Sequence, residues 1–295
     1  MEDNSVIVSV LITLYNREGL IEETIRSVYA SDFSDFELIV LDDASVDNSY
    51  ECVEKLIRAE FPEIRLYRND HNLGQFPNRN KIAQLAKGKY LKYLDSDDLL
   101  YPHSLGLMVK WMETNPEAAF GLQDSFSSNS TYYPVFLERE KIFRYNFFTN
   151  NLFLTGPTGG IIKRNVFLES GGYQGNWLVE DNLFWARICR NYPMLLLPTN
   201  LVFWRVHPAQ EFTEHGKSIA NFLQYKFMME ETLNYGSPFL DSSEIRQVHK
   251  SKRNWVIGKA IKAGFKFKLW SFFVIITTGL FGCKDEYFKD QFNKR

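Results

Sequence analysis

Apolar residues in this chain come in short unbroken runs, each ending in a polar cluster, and between the runs the spacing changes to that of amphipathic helices. Residues 6–14 (VIVSVLITL), 36–41 (FELIVL), 64–68 and 90–94 (YLKYL) have the length and β-forming content of strands buried on both faces. Residues 20–30 put Leu20, Ile21, Ile25, Val28 and Tyr29 at helical spacing. A second helix is predicted at 50–60, with Pro62 after its end, and a third at 81–86, closed by Gly88. Strand, helix, strand, helix, strand, helix, strand predicts a parallel α/β layout. In such sheets ligands bind beyond the carboxyl ends of the strands, where Asn16, Asp43 and Asp97 fall. The pattern is less regular afterwards. A helix ends at 111–115, a strand is predicted at 118–122, and 125–133 (SFSSNSTYY) reads as a polar loop. Late strands are expected at 194–197 and 201–206, and helices at 215–235 and 242–263.

The chemistry concentrates at 88–98, GKYLKYLDSDD. Asp95, Asp97 and Asp98 follow a buried strand and repel one another unless something positive sits among them. A divalent cation fits, since hard cations take carboxylate oxygens and leave positions for phosphate and water. The alternative is a solvated Asp-rich turn that caps a helix starting at Leu99. Gly156, Pro157, Thr158, Gly159 and Gly160 form a second feature, a backbone that a ligand can approach closely. Glu180 and Asp181 stand before the apolar run Leu183, Phe184, Trp185 and so begin a helix. A carboxylate there either favours the helix dipole or serves as a general base toward a hydroxyl.

Composition narrows the reading. With 295 residues, 45% hydrophobic and 16% aromatic, the chain can bury one large core or two modest ones. A net charge of -2 gives no reason to expect a nucleic-acid partner. Cys52, Cys189 and Cys283 are far apart and odd in number, with no metal or disulfide spacing, and no basic-then-apolar leader opens the sequence. A reducing, cytoplasmic compartment is the expectation.

Four blocks then carry a resemblance in the right order. The segments VSVLITLYNREGLIEETIRSVYASDFSDFELIVLDDASVDNS and HNLGQFPNRNKIAQLAKGKYLKYLDSDD resemble the nucleotide-binding half of glycosyltransferase family 2 enzymes, including their Asn-x-Gly loop and Asp-x-Asp strand. GGIIKRNVFLESGGYQGNWLVEDNLFWARI resembles the acceptor segment with its Glu-Asp pair, and WRVHP an Arg-x-His motif. The resemblance implies an α/β GT-A fold: a Rossmann-like, mixed but mainly parallel sheet flanked by helices. It implies a catalytic domain over 1–210, with a nucleotide-binding half at 1–98 and an acceptor half at 99–210, followed by a helical C-terminal extension at 211–295. It further implies an inverting transfer of a sugar from a nucleotide-diphosphate donor, UDP in the first instance, to an acceptor hydroxyl with Mn2+ or Mg2+, in surface polysaccharide or glycan synthesis. By resemblance Asp97 is the direct metal ligand, with His207 as a second. Thr13, Tyr15, Asn16 and Asp43 form the base pocket, Asp95 faces ribose or sugar, and Arg79 and Arg205 reach the base or phosphates. Asp181 is the base, with Glu180, Gly159 and Gly160 on the acceptor side. Two other classes share part of this pattern: a sugar-phosphate nucleotidyltransferase, whose Gly-rich phosphate loop TLYNREG matches poorly, and a nucleotide-sugar-binding protein without activity, against which the joint presence of Asp97 and Asp181 argues.

The C-terminal stretch 250–268 has seven basic and no acidic residues, with Trp255, Val256, Ile257, Ile261, Phe265 and Phe267 interleaved, and 269–281 (LWSFFVIITTGLF) is nearly all apolar. That run is shorter than the roughly 20 residues a membrane span requires. It predicts peripheral contact through 250–283 with the inner face of the cell membrane, suited to a lipid-linked saccharide acceptor, or packing on the catalytic domain or on a second subunit of a homo-oligomer.

Overall fold

The computed structural model describes residues 6–124, 131–175, 178–207 and 219–265. The chain divides into two compact units, Met1–His207 and Pro208–Arg295.

The first unit is built on one mixed sheet. Its first half holds β1 (Val8–Leu14), β2 (Phe36–Asp42), β3 (Arg65–Arg68) and β4 (Tyr90–Asp95), joined by helices α1 (Ile21–Tyr29), α2 (Ser49–Ala59) and α3 (Gln75–Leu85). β1 pairs in parallel with both β2 and β4, which makes it an interior strand, and nearly all of it is buried. Its continuous apolar run follows from that position, because helices cover both faces of a parallel sheet. The third helix starts six residues before its predicted place. Pro77 belongs to its first turn, where backbone N–H groups have no helical partner and proline costs nothing.

The chain leaves β4 differently from expectation. Leu99–Leu100 is a short strand, β5, and the next helix, α4, spans Ser104–Thr114. β6 (Phe120–Gln123), β7 (Val135–Leu137), α5 (Arg139–Phe148), β8 (Gly160–Lys163), α6 (Arg164–Glu169), α7 (Glu180–Cys189), β9 (Met194–Leu197) and β10 (Val202–Phe203) follow. β8 lies antiparallel between β4 and β6, and β9 runs parallel to β6, so the eight-stranded order is β3-β2-β1-β4-β8-β6-β9-β7. β6 and β9 therefore point the same way as β4, and their carboxyl ends share its edge. β5 and β10 form a separate antiparallel pair, Leu100 beside Val202, which brings the 204–207 segment back to the end of β4.

The second unit contains α8 (Ile219–Gly236) and α9 (Ser242–Phe265). α9 opens on a capping box: Asp241 Oδ1 accepts from the N–H groups of Ser243 and Glu244 at 2.7 and 2.9 Å, and Glu244 Oε2 accepts from Asp241 N at 2.8 Å. Phe222 of α8 stacks on Trp255 of α9 with centroids 5.2 Å apart, and Val256 packs beside them. No helix among the described residues is long and apolar enough to cross a membrane. The predicted polar loop is described from Thr131 onward; the apolar run 269–281 and Cys283 lie outside the described residues.

Candidate active site

The first three strand ends meet because the register of β1 sets Leu14 beside Asp42 and Thr13 beside Asp95. Asn16 turns the chain with a left-handed φ of 51°, a conformation Asn adopts more readily than most residues. Its N–H donates to Ser45 Oγ at 3.0 Å and its Oδ1 accepts from Val46 N at 2.9 Å, which ties the end of β1 to the end of β2. Tyr15 stands at the rim, 43% exposed. Asp43 is buried and braces the loop after β3. Its Oδ1 accepts from Asn69 Nδ2 at 2.7 Å and Leu73 N at 2.9 Å, and its Oδ2 from Gly74 N at 3.0 Å. The Asn-x-Gly loop is thus shaped by the carboxylate expected at the nucleobase.

Asp95, Asp97 and Asp98 each offer an oxygen within 4.8 Å of the others. Their charge is met from three directions. Arg79, buried in α3 against Phe76, pairs with Asp95 at 2.5 Å. Arg17 Nε donates to Asp97 Oδ2 at 3.0 Å, and His207 Nε2 lies 3.0 Å from the same oxygen. Burial and the neighbouring Asp95 and Asp97 push the Asp98 carboxyl up to about 8 against the pull of Lys92, and Arg205 N donates to its Oδ1 at 3.1 Å. Asp98 therefore does not cap a helix at Leu99; it fastens the 204–207 segment to the cluster. Arg205 was expected at the phosphates, but its guanidinium lies on α1, with Glu23 Oε2 at 2.6 Å and Thr24 Oγ1 at 3.3 Å. Its backbone N–H serves the acidic edge. The donor set suits a hard divalent cation, since three carboxylate oxygens converge, the His207 imidazole stands against one of them, and burial with like-charge crowding raises the Asp98 carboxyl.

A fully buried lysine joins this edge to the other half of the sheet. Lys92 Nζ donates to the Thr158 carbonyl, while Asp95 N donates to Thr158 Oγ1 at 2.9 Å. Burial lowers the Lys92 ammonium to about 7 against the pull of Asp95 and Asp98. Thr158 is gripped twice, so the 156–160 turn sits directly against the strand that carries the cluster. α7 holds the residues that lead into the turn: Trp185 Nε1 donates to Thr155 O at 3.0 Å, and Asn182 Nδ2 donates to Phe153 O.

Asp181 begins α7 at this junction. A Cβ built on Gly156 would come within 3.9 Å of its Oδ2, and Asn182 N donates to its Oδ1 at 2.8 Å. Burial raises its carboxyl to about 7, with Arg79 pulling the other way. Glu180 is committed elsewhere, accepting from Gln174 N at 2.7 Å with Arg187 at 3.6 Å. Gly159 and Gly160 are buried, and their close approaches are to the protein itself. A Cβ on Gly159 would meet Thr155 Cγ2 at 2.5 Å and Gln123 Oε1 at 3.3 Å; one on Gly160 would meet Leu122 at 3.0 Å and Trp185 at 3.2 Å. We expect Gly159→Ala to destabilise the fold by about 1–3 kcal/mol, the usual cost of overpacking. Urea unfolding measures it, and an unchanged midpoint contradicts the crowding.

Sequence reading missed Arg17 and Lys92. Arg17 was given no role, although it directly follows Asn16 at a strand end. Lys92 left a plainer signal, a charge inside an otherwise apolar strand, where lysine stays only with partners.

The chain is similar to known proteins in sequence and in fold. The sequence model described as Glycosyl transferase family 2 matches residues 9–171. An uncharacterized glycosyltransferase of Haemophilus influenzae is 24% identical over 228 residues, covering 70% of this chain and 68% of its own. The Escherichia coli enzyme WfaP, a UDP-Glc:alpha-D-GlcNAc-diphosphoundecaprenol beta-1,3-glucosyltransferase, is 29% identical over 127 residues, 43% of this chain and 46% of its own. Two solved structures share the fold. Residues 1–349 of S. aureus TarS in complex with UDP-GlcNAc superpose with a TM-score of 0.61 at 20% identity, covering 82% of this chain and 70% of that one. The mannosyltransferase PcManGT from Pyrobaculum calidifontis, in complex with GDP-Man and Mn2+, gives 0.60 at 16% identity, covering 98% and 88%.

Proposed function

Because the chain belongs to glycosyl transferase family 2 and is a glycosyltransferase, we propose that it takes its sugar from a UDP-sugar and passes it, with inversion, to a hydroxyl of a saccharide or lipid-linked saccharide acceptor. The observation that carries this reading is the single sheet edge on which Asp97, paired with Arg17 and His207, and Asp181, with its carboxyl raised to about 7, are joined through the Thr158 turn. UDP is favoured because TarS is found with UDP and UDP-GlcNAc and WfaP uses UDP-Glc, and a lipid-linked saccharide acceptor is in keeping with the diphosphoundecaprenol in WfaP's name.

Residues 1–98 form the nucleotide half in this reading. Thr13, Tyr15 and Asn16 line the base pocket, and Asp43, besides bracing the loop, accepts from the base. Asp97 and His207 hold Mn2+ or Mg2+, which when bound offsets charge on the leaving diphosphate as a Lewis acid. Asp95, steadied by Arg79, faces ribose or sugar, and Arg17 faces the phosphates. Residues 99–207 supply the acceptor half. Asp181 takes the proton of the acceptor hydroxyl as that oxygen bonds to the anomeric carbon; the bond from that carbon to phosphate oxygen breaks, and the nucleoside diphosphate leaves with the electron pair. One displacement inverts the anomeric centre.

A thermal-shift screen with UDP, GDP and their sugars, with and without Mn2+, tests the donor. A ligand at a hundred times its Kd stabilises by about 2.7 kcal/mol, a rise of several degrees. UDP compounds should raise the midpoint and GDP compounds should not; the reverse pattern removes uridine from the proposal.

A further inference from the structure

α9 has one face that its own unit uses and one that it does not. Inward, Lys252, Trp255 and Val256 serve α8, with Val256 and Trp255 on Phe222 and Lys252 3.8 Å from Glu230, and Val248 is buried. Outward, Arg246, Lys250, Arg253, Ile257 and Ile261 follow one another at intervals of three and four, which sets them in one strip, about 22 Å long at 1.5 Å per residue. All five are exposed, Ile257 by 37% and Ile261 by 49%. Arg246, Lys250 and Arg253 have no ion-pair partner among the described residues. The strip is graded, basic in its first half and apolar in its second. No acidic residue occurs between Glu244 and Asp285, although the whole chain carries a net charge of -2.

We propose that this outer strip of α9 is a docking surface for an anionic lipid bilayer. Acidic headgroups neutralise Arg246, Lys250 and Arg253, while Ile257 and Ile261 enter the boundary between headgroups and acyl chains. A protein or nucleic-acid partner fits the strip less well. Protein interfaces gather aromatic anchors at their centre, whereas here Trp255 faces inward and the exposed apolar residues are aliphatic and at one end. Nucleic acid would use the basic half and leave the two isoleucines in water. A bilayer uses both halves at once, because charge draws the helix to the surface and apolar burial holds it there. The grading also fixes the pose, with the carboxyl end of α9 deeper than its start.

Flotation of the full chain with phosphatidylcholine vesicles, with and without phosphatidylglycerol, tests this. The protein should float with the anionic vesicles at low salt, remain behind with phosphatidylcholine alone, and lose binding as salt rises. Lys250→Gln with Arg253→Gln should lower partitioning about 25-fold, since each basic residue near an anionic surface contributes roughly fivefold. Ile257→Ser with Ile261→Ser should lower it by roughly tenfold or more while leaving the salt dependence in place. All four side chains are exposed, and unchanged circular dichroism and thermal midpoint will confirm that each pair leaves the fold intact. Failure of the full chain to float, equal flotation with both vesicle types, or wild-type binding by both variants overturns the proposal. A change of mass in light scattering caused by the isoleucine pair also overturns it, assigning the strip to a second copy of the chain.

Discussion

Asp97→Asn should lower turnover on the order of a thousandfold, the several kcal/mol that a metal ion contributes by offsetting charge on a leaving group. Asp97 is where the acidic edge, the end of β1 and the 204–207 segment meet, since Arg17 Nε and His207 Nε2 both lie 3.0 Å from its Oδ2. The substitution preserves size and removes the charge, so Arg17 faces a neutral amide and a cation loses its ionised ligand. The fold should persist, because the side chain belongs to the site and not to the apolar core around β1 and β4. Nucleoside-diphosphate affinity separates the metal role from a merely structural one. In the native protein it should fall when excess EDTA replaces Mn2+; in Asp97→Asn it should be low in both conditions. Native turnover in excess EDTA, or native turnover by the variant, removes the metal from the mechanism.

The central strands were legible because a parallel sheet leaves its mark on the sequence. β1, β2 and β4 are buried on both faces and read as apolar runs, and their carboxyl ends follow from the order of the elements. Asn16, Asp43 and Asp97 could be placed together on that ground, and the register bears out their common edge. Residues whose positions depend on distant pairing were not legible. Leu99–Leu100 looked like a helix start because an Asp-rich turn preceded it, but its conformation is set by Val202–Phe203, a hundred residues later. That same pairing sets the guanidinium of Arg205 on α1 and its N–H on Asp98. β8 was hidden for a related reason. Gly160 begins it and pairs with Leu122, where a Cβ would press on the side chains of Leu122 and Trp185 at 3.0 and 3.2 Å. Gly-Gly in sequence reads as a flexible approach to a ligand; in the structure it is close packing.

Asp181→Asn should leave donor affinity nearly unchanged and lower turnover by roughly a hundredfold or more, the usual scale for loss of a general base. The residue lies close to Gly156, in the turn that Thr158 anchors, and its hydrogen bond from Asn182 N can be kept by an amide oxygen. The carboxyl also makes a pH prediction. Burial raises it to about 7, the range in which a base is effective at neutral pH. A general base must be ionised to accept a proton, so turnover at saturating donor should fall tenfold per pH unit below about 7 and level off above it. The sign depends on the group: a carboxyl whose pKa is raised is still partly protonated at neutral pH, so alkali activates it. In Asp181→Asn the residual turnover should lose that acid limb, because the titrating group is gone. A variant that binds the donor poorly and turns over normally at saturation would return Asp181 to a structural part at the start of α7. An acid limb that survives the substitution would assign the titration to another group at the same edge.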